Sequence, residues 1–100
     1  MRMIMKRSVR DYKRWAGTLK AMSHPGRLRL LAELMGGECC VGDVQRCLNL
    51  SQPHVSQSLN VLKKAGIVAG RRDKTRICYR IVDPLAKSLL KKLIFEERKK

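Results

Sequence analysis

The sequence predicts a mainly α domain with one small β-hairpin, about five helices and two strands. Three observations carry this. Apolar residues recur at helical spacing in five separate stretches, one stretch alone alternates with period two, and Pro, Gly and Asn fall at the boundaries between them. At 100 residues the chain has room for a single core, so residues 1–100 are expected to form one domain.

Residues 1–10 are basic and weakly patterned. From about Val9 to Met22, Trp15, Leu19 and Met22 follow helical spacing with Tyr12 and Ala16 beside them, which gives a first helix. His24-Pro25-Gly26 breaks the chain, and Pro25 is suited to open a second helix. From Arg27 to Met35, Leu28, Leu30, Leu31, Ala32, Leu34 and Met35 cover most of the circumference, which predicts a central, nearly enclosed helix ended by Gly36-Gly37. A short third helix, about Val41 to Leu48, points Val44 and Leu48 inward. Asn49 then stands where a tight turn needs left-handed backbone.

The stretch LSQPHVSQSLNVLKKAG, Leu50 to Gly66, is rich in residues that favour caps and turns, yet Val55, Leu59 and Leu62, continued by Ala65, form a helical stripe. Ser51 is the expected N-cap through its hydroxyl, Pro53 falls in the first turn, and Gly66 is the stop. Two short helices joined by a three-residue turn, the second polar outside, form a helix-turn-helix. Ile67-Val68-Ala69 and Ile77 to Val82 then frame the polar stretch 70–76, a hairpin with a basic tip in which Ile77, Tyr79 and Ile81 alternate with Cys78, Arg80 and Val82. Pro84 opens a last helix through about Phe95, with Leu85, Leu89, Leu90, Leu93 and Ile94 on its apolar face, and residues 96–100 read as a frayed tail.

The outer face of the fourth helix holds Gln52, His54, Ser56, Gln57 and Asn60, then Lys63 and Lys64. Short amide and hydroxyl side chains suit base edges in a major groove, where Gln or Asn can pair bidentately with adenine. Charge agrees, because 23 Lys and Arg face 8 Asp and Glu for a formal net charge of +15. The half carrying this helix is the more basic, with thirteen cations against four anions where residues 1–50 have ten against four. A polyanion is the implied partner. The absence of a long apolar run or a signal-peptide core argues against a membrane and for a cytoplasmic protein. Only four aromatic residues, Tyr12, Trp15, Tyr79 and Phe95, leave no stacking platform for single strands, which favours duplex DNA.

Gln52, His54, Ser56, Gln57, Asn60 and Lys63 are therefore the expected base and backbone contacts. Arg71, Arg72, Lys74 and Arg76 at the hairpin tip are the expected phosphate or minor-groove contacts. The terminal helices have more apolar surface than one small core needs. A symmetric homodimer through Tyr12, Trp15, Leu19, Leu89 and Leu93 would bury it and fix the spacing of two reading helices.

The run Leu19-Lys20-Ala21-Met22-Ser23-His24-Pro25-Gly26-Arg27-Leu28-Arg29-Leu30-Leu31, then Cys40-Val41-Gly42-Asp43-Val44, then Leu50-Ser51-Gln52-Pro53-His54-Val55-Ser56-Gln57-Ser58-Leu59 resembles the ArsR/SmtB family of winged helix-turn-helix repressors over about residues 15–83. The resemblance implies a homodimer that binds a pseudo-palindromic operator, with Ser51, Gln52, His54, Ser56 and Gln57 facing the DNA and the Arg71–Arg76 tip as wing, and releases it when an effector binds, often a metal ion or metalloid. Arsenic- and lead-type members carry Glu-Leu-Cys-Val-Cys-Asp-Leu where this chain has Glu38-Cys39-Cys40-Val41-Gly42-Asp43-Val44; only Cys40 keeps register, Gly42 replaces the second ligand, and Cys39 is an added thiol. Zinc-type members use Asp and His on the last helix, which here has no His.

Four cysteines in a basic cytoplasmic domain read as free thiols or ligands rather than structural disulfides. Cys39, Cys40 and Cys47 are the nearest set for a soft ion such as trivalent arsenic, though Cys40 and Cys47 stand about 10 Å apart in helical rise. Cys47 also fits a small buried packing position, and oxidation of thiols activated by cationic surroundings is a rival trigger. A basic RNA-binding or nucleoid-type protein would explain the charge but not the dimer faces or the capped reading helix. Catalysis has little support: His54 has no adjacent nucleophile, and Glu96-Glu97 is the only close carboxylate pair.

Overall fold

A computed structural model describes residues 7–96; the outer parts of the basic leader and of the expected tail, 1–6 and 97–100, lie outside the described residues. Helix α1, Val9–Met22, starts at a capping box in which the Ser8 hydroxyl accepts from the Asp11 amide and the Asp11 carboxylate accepts from the Ser8 amide. Helix α2, Pro25–Leu34, opens with Pro25 in its first turn after His24, whose Nδ1 accepts from the Gly26 amide at 3.1 Å. The Arg27 guanidinium donates to the Ala21 carbonyl and joins the end of α1 to the start of α2.

Helix α3, Val41–Leu48, ends at Asn49 with φ 54° and ψ 46°, the left-handed conformation that Asn tolerates, and α4, Gln52–Lys64, follows directly. Arg29 of α2 donates to the Leu48 carbonyl at 3.3 Å, tying the turn between α3 and α4 to the core. The chain then forms β2, Val68–Asp73, and β3, Arg76–Ile81, and closes with α5, Pro84–Lys91, which continues as a π-helical turn over Lys92–Glu96.

The core lies where α2, α3 and α4 meet and is floored by the sheet: Leu30, Leu31, Leu34, Val44, Leu48, Val55, Leu59, Leu62, Ile67, Val68 and Ile81 are buried together. Ala21 and Met22 reach it from α1, and Ala86 and Leu90 from α5.

The class is as expected, and several details differ. The sheet has three strands, not two. A two-residue strand β1, Cys39–Cys40, pairs antiparallel with β3 in the order β1-β3-β2, because the extended entry to α3 lies along the free edge of the hairpin. Helix α2 is not nearly enclosed: Leu30, Leu31 and Leu34 are buried, Leu28 and Met35 are half-buried and Ala32 is exposed, since its partners pack on one side only. Ala65 does not extend the α4 stripe but is exposed at the C-cap. Ser51 is the N-cap with extended backbone, yet its hydroxyl makes no capping bond, because Pro53 has removed one of the two amides it could serve. In β3 the buried residues are Cys78 and Ile81, while Ile77 is exposed and the Tyr79 ring lies over Gly70 on the neighbouring strand.

Candidate nucleic-acid interface

Helix α4 is held by Val55, Ser58, Leu59 and Leu62, all buried, which fixes what the opposite face presents. Gln52, His54, Gln57, Asn60 and Lys63 are exposed there, with Ser51 exposed at the cap and Ser56 half-buried. Two of the expected contacts engage each other, as Gln52 Nε2 donates to Ser56 Oγ at 2.6 Å. The helix has two polar flanks. On one, Gln52 and Ser56 line a cleft of about 600 Å³ with Asp43 and Arg46 of α3 and with Thr75 and Arg76 of the hairpin. On the other, His54 and Gln57 line a smaller cleft of about 160 Å³ with His24 and Arg27 at the start of α2.

Arg46, His24 and Arg27 are cationic or hydrogen-bonding groups beside α4 that sequence reasoning did not assign. The i, i+3 spacing of Asp43 and Arg46 was the available signal for the first; for the other two there was only their place at the break before α2.

The hairpin turns at Lys74, which adopts φ 61°. Its four cations are not equivalent. Arg71 donates to both carboxylate oxygens of Glu38, Nε at 2.9 Å and Nη2 at 2.8 Å. Arg76 donates to Asp43 at 3.1 Å, and the other oxygen of Asp43 is taken by Arg46. Among the described residues, Arg72 and Lys74 have no carboxylate partner. The hydrogen bond from Arg71 holds the Glu38 carboxyl below its ordinary range and outweighs the opposing effect of burial.

The cysteines depart from expectation. Cys40 and Cys78, cross-strand partners in the β1–β3 ladder, form a disulfide, so Cys40 is not free to join Cys39 and Cys47. Pairing β1 with β3 brings together two cysteines 38 positions apart, a closeness that sequence spacing does not reveal. Cys39 is half-buried, and its thiol donates to the Gly37 carbonyl at 3.5 Å. Desolvation and then the Glu33 and Asp43 carboxylates push its pKa up, so the cationic activation expected from composition does not act on this thiol. Cys47 is exposed and not the packing residue its position suggested, because Val44 and Leu48 take the inward stripe of α3. No group of three or more potential ligand residues converges on a metal-sized site among the described residues.

Away from this face, Leu19, Leu89 and Leu93 come together with Met22 and Leu28 around an apolar groove of about 390 Å³ between α1, α2 and α5. Tyr12 is exposed further along α1 and packs edge-to-face on half-buried Trp15 at 5.5 Å between centroids. No helix among the described residues is long and apolar enough to cross a membrane.

Comparison with known proteins agrees with this geometry. Residues 24–69, which span α2, α3 and α4, match the family described as bacterial regulatory protein, arsR family. The chain is 41% identical over 78 residues to the biofilm growth-associated repressor of Xylella fastidiosa, covering 78% of this chain and 68% of that protein. The crystal structure of the repressor BigR from Xylella fastidiosa superposes with a TM-score of 0.74 at 36% identity, covering 89% of this chain and 97% of that one. A domain from Mycobacterium bovis, described as a homodimeric winged helix-turn-helix DNA-binding domain, gives a TM-score of 0.80 at 26% identity over 96% of this chain and 92% of its own.

Proposed function

The chain belongs to the arsR family of DNA-binding transcriptional regulators, and from that premise we propose that it is a homodimeric repressor that reads a two-fold symmetric operator with α4 and is released by chemistry at its thiols. One observation carries the reading: the outer face of α4 presents the hydrogen-bonding side chains of Gln52, His54, Gln57 and Asn60, and Gln52 and Ser56 share a cleft with the basic hairpin through Arg76. Amides in that position read base edges while the flanking cations supply sequence-independent affinity. Such a protein works where the DNA is, in the cytoplasm.

Dimerisation is supported by the groove that Leu19, Leu89 and Leu93 line and by the exposed rings and side chains around it. For release, the pairing of Cys40 with Cys78 favours redox control over capture of a soft ion. The two thiols lose two electrons and two protons to a low-molecular-weight disulfide, which departs as two thiols, and the new bond ties the start of α3 to the wing. Disulfides in a reducing compartment are commonly of this transient, sensing kind. A thiophilic metal or metalloid would need the same sulfur atoms in the reduced form.

Selection from random duplexes tests the reading. A two-fold symmetric motif is expected, and Gln57→Ala should cost about 1–3 kcal/mol on it while relaxing specificity. Selection that enriches no motif would overturn the proposal. Titrating the selected complex with an oxidised dithiol reagent, arsenite and soft metals identifies the inducer. Oxidant should change affinity roughly 5–150-fold in the parent chain and not in Cys78→Ser, whereas release by arsenite alone would replace the redox route with ion capture.

A further inference from the structure

We propose that Glu38 keeps Arg71 off the DNA, so that the wing meets phosphate through Arg72 and Lys74 while Arg71 serves to position the wing. This rests on the DNA-binding reading above and refines which wing residues act in it. The inference starts from the two-point contact: Arg71 uses Nε and Nη2, an edge of the guanidinium fork that phosphate would need, on both oxygens of one carboxylate.

Ion pairs at this exposure contribute little to folding stability, so the contact is not explained as a staple of the fold. Its effect on DNA binding is larger than its strength suggests. A phosphate that took Arg71 would strand the Glu38 carboxylate beside a polyanion, and the repulsion would offset the new contact. Together the two side chains bring no net charge to the interface.

Glu38 is well placed for this. It immediately precedes β1, the strand that pairs with β3, so the Arg71 side chain crosses the sheet from β2 to reach it. The Asp43 carboxylate restrains Arg76 in a similar way, diluted by its second partner Arg46. Arg72 and Lys74 lack any such carboxylate among the described residues, and Lys74 stands at the apex of the turn. The restraint limits sequence-independent affinity: every additional free cation strengthens binding to all sequences alike, prolonging stays on non-operator DNA without raising the ratio that favours the operator.

The salt dependence of binding to a random duplex counts the phosphates neutralised, and it works whatever the operator is. Arg72→Ala and Lys74→Ala should each flatten the slope by about 0.9, and Glu38→Gln should steepen it by about 0.9. That last change means affinity falls about 3.5-fold more between 50 and 200 mM salt than in the parent chain. Glu38→Gln should leave the ratio of operator to random-duplex affinity near the parent value while strengthening both, and the double variant Glu38→Gln, Arg71→Ala should return to the parent slope.

A slope unmoved by Glu38→Gln, or steepened as much in the double variant Glu38→Gln, Arg71→Ala as in Glu38→Gln alone, would overturn the inference while leaving the repressor reading intact. A parent chain with no affinity for any duplex would instead overturn the reading on which it rests. In the absence of DNA, the Arg71 Nε–H resonance should be protected from exchange with water in the parent and lost in Glu38→Gln; an unprotected resonance in the parent removes the pair itself.

Discussion

Glu38 shows how a side chain at the surface acquires a definite protonation behaviour from one neighbour. The hydrogen bond from Arg71 lowers the pKa of its carboxyl relative to an unfolded chain. A depressed acid contributes its stabilisation fully above the unfolded value and loses it as pH falls through the lower folded one. The tether of Arg71 should therefore persist through the neutral range and through mildly acidic solution. Following the Glu38 carboxyl carbon by NMR should show a midpoint below that of a Glu in an unstructured peptide, and Arg71→Ala should move it back up. A midpoint unaffected by Arg71→Ala would remove the pair as the cause. Gly70 makes a different demand on the same sheet: a Cβ there would stand 2.8 Å from the Tyr79 ring, so the ring and the missing side chain occupy one space.

At the scale of elements, the turn between α3 and α4 sets the angle between the two helices and depends on Asn49 at φ 54°. An ordinary L-residue pays about 1–2 kcal/mol to sit in left-handed backbone, and Asn pays less. Asn49→Ala should lower the unfolding free energy by about 1 kcal/mol, and Asn49→Gly should stay near the parent, as measured by denaturant titration; equal losses for the two would show that the side chain, and not the backbone, matters. This turn was legible in the sequence, as were α1 and α3, because Asn49, Pro25 and the stripes Val44–Leu48 and Val55–Leu59–Leu62 are local signals. What was not legible depends on distant partners. Strand β1 is two residues long and carries no pattern of its own; it is a strand only because β3 has a free edge to offer. The pairing of Cys40 with Cys78 and of Arg71 with Glu38 follows from that same contact, and neither leaves a mark in local spacing. The exposure of Ala32 had a signal that the run of leucines masked: it shares a side of α2 with Arg29 and Glu33, and all three are exposed.

The whole molecule measures 53 × 34 × 20 Å, elongated and flat, with its terminal helices each spending one stripe on the core and leaving another outside. Leu19 is 52% exposed and Leu93 51%, on either side of the same groove. If a second copy covers them, Leu93→Glu should leave the helical signal intact but shift sedimentation at micromolar concentration from dimer to monomer, and should weaken operator binding more than random-duplex binding because two reading helices are no longer held together; a parent chain that sediments as a monomer with and without DNA would contradict this. The sheet order has a separate consequence. With β1 covering one side of β3, β2 is left as an outer strand whose unpaired amides and carbonyls could accept another chain. Arg71, Arg72 and Asp73 occupy that strand, and the net positive charge of its tip repels the same tip of a neighbouring copy. The positive charge of the hairpin tip thus works against edge-to-edge self-association of the outer strand.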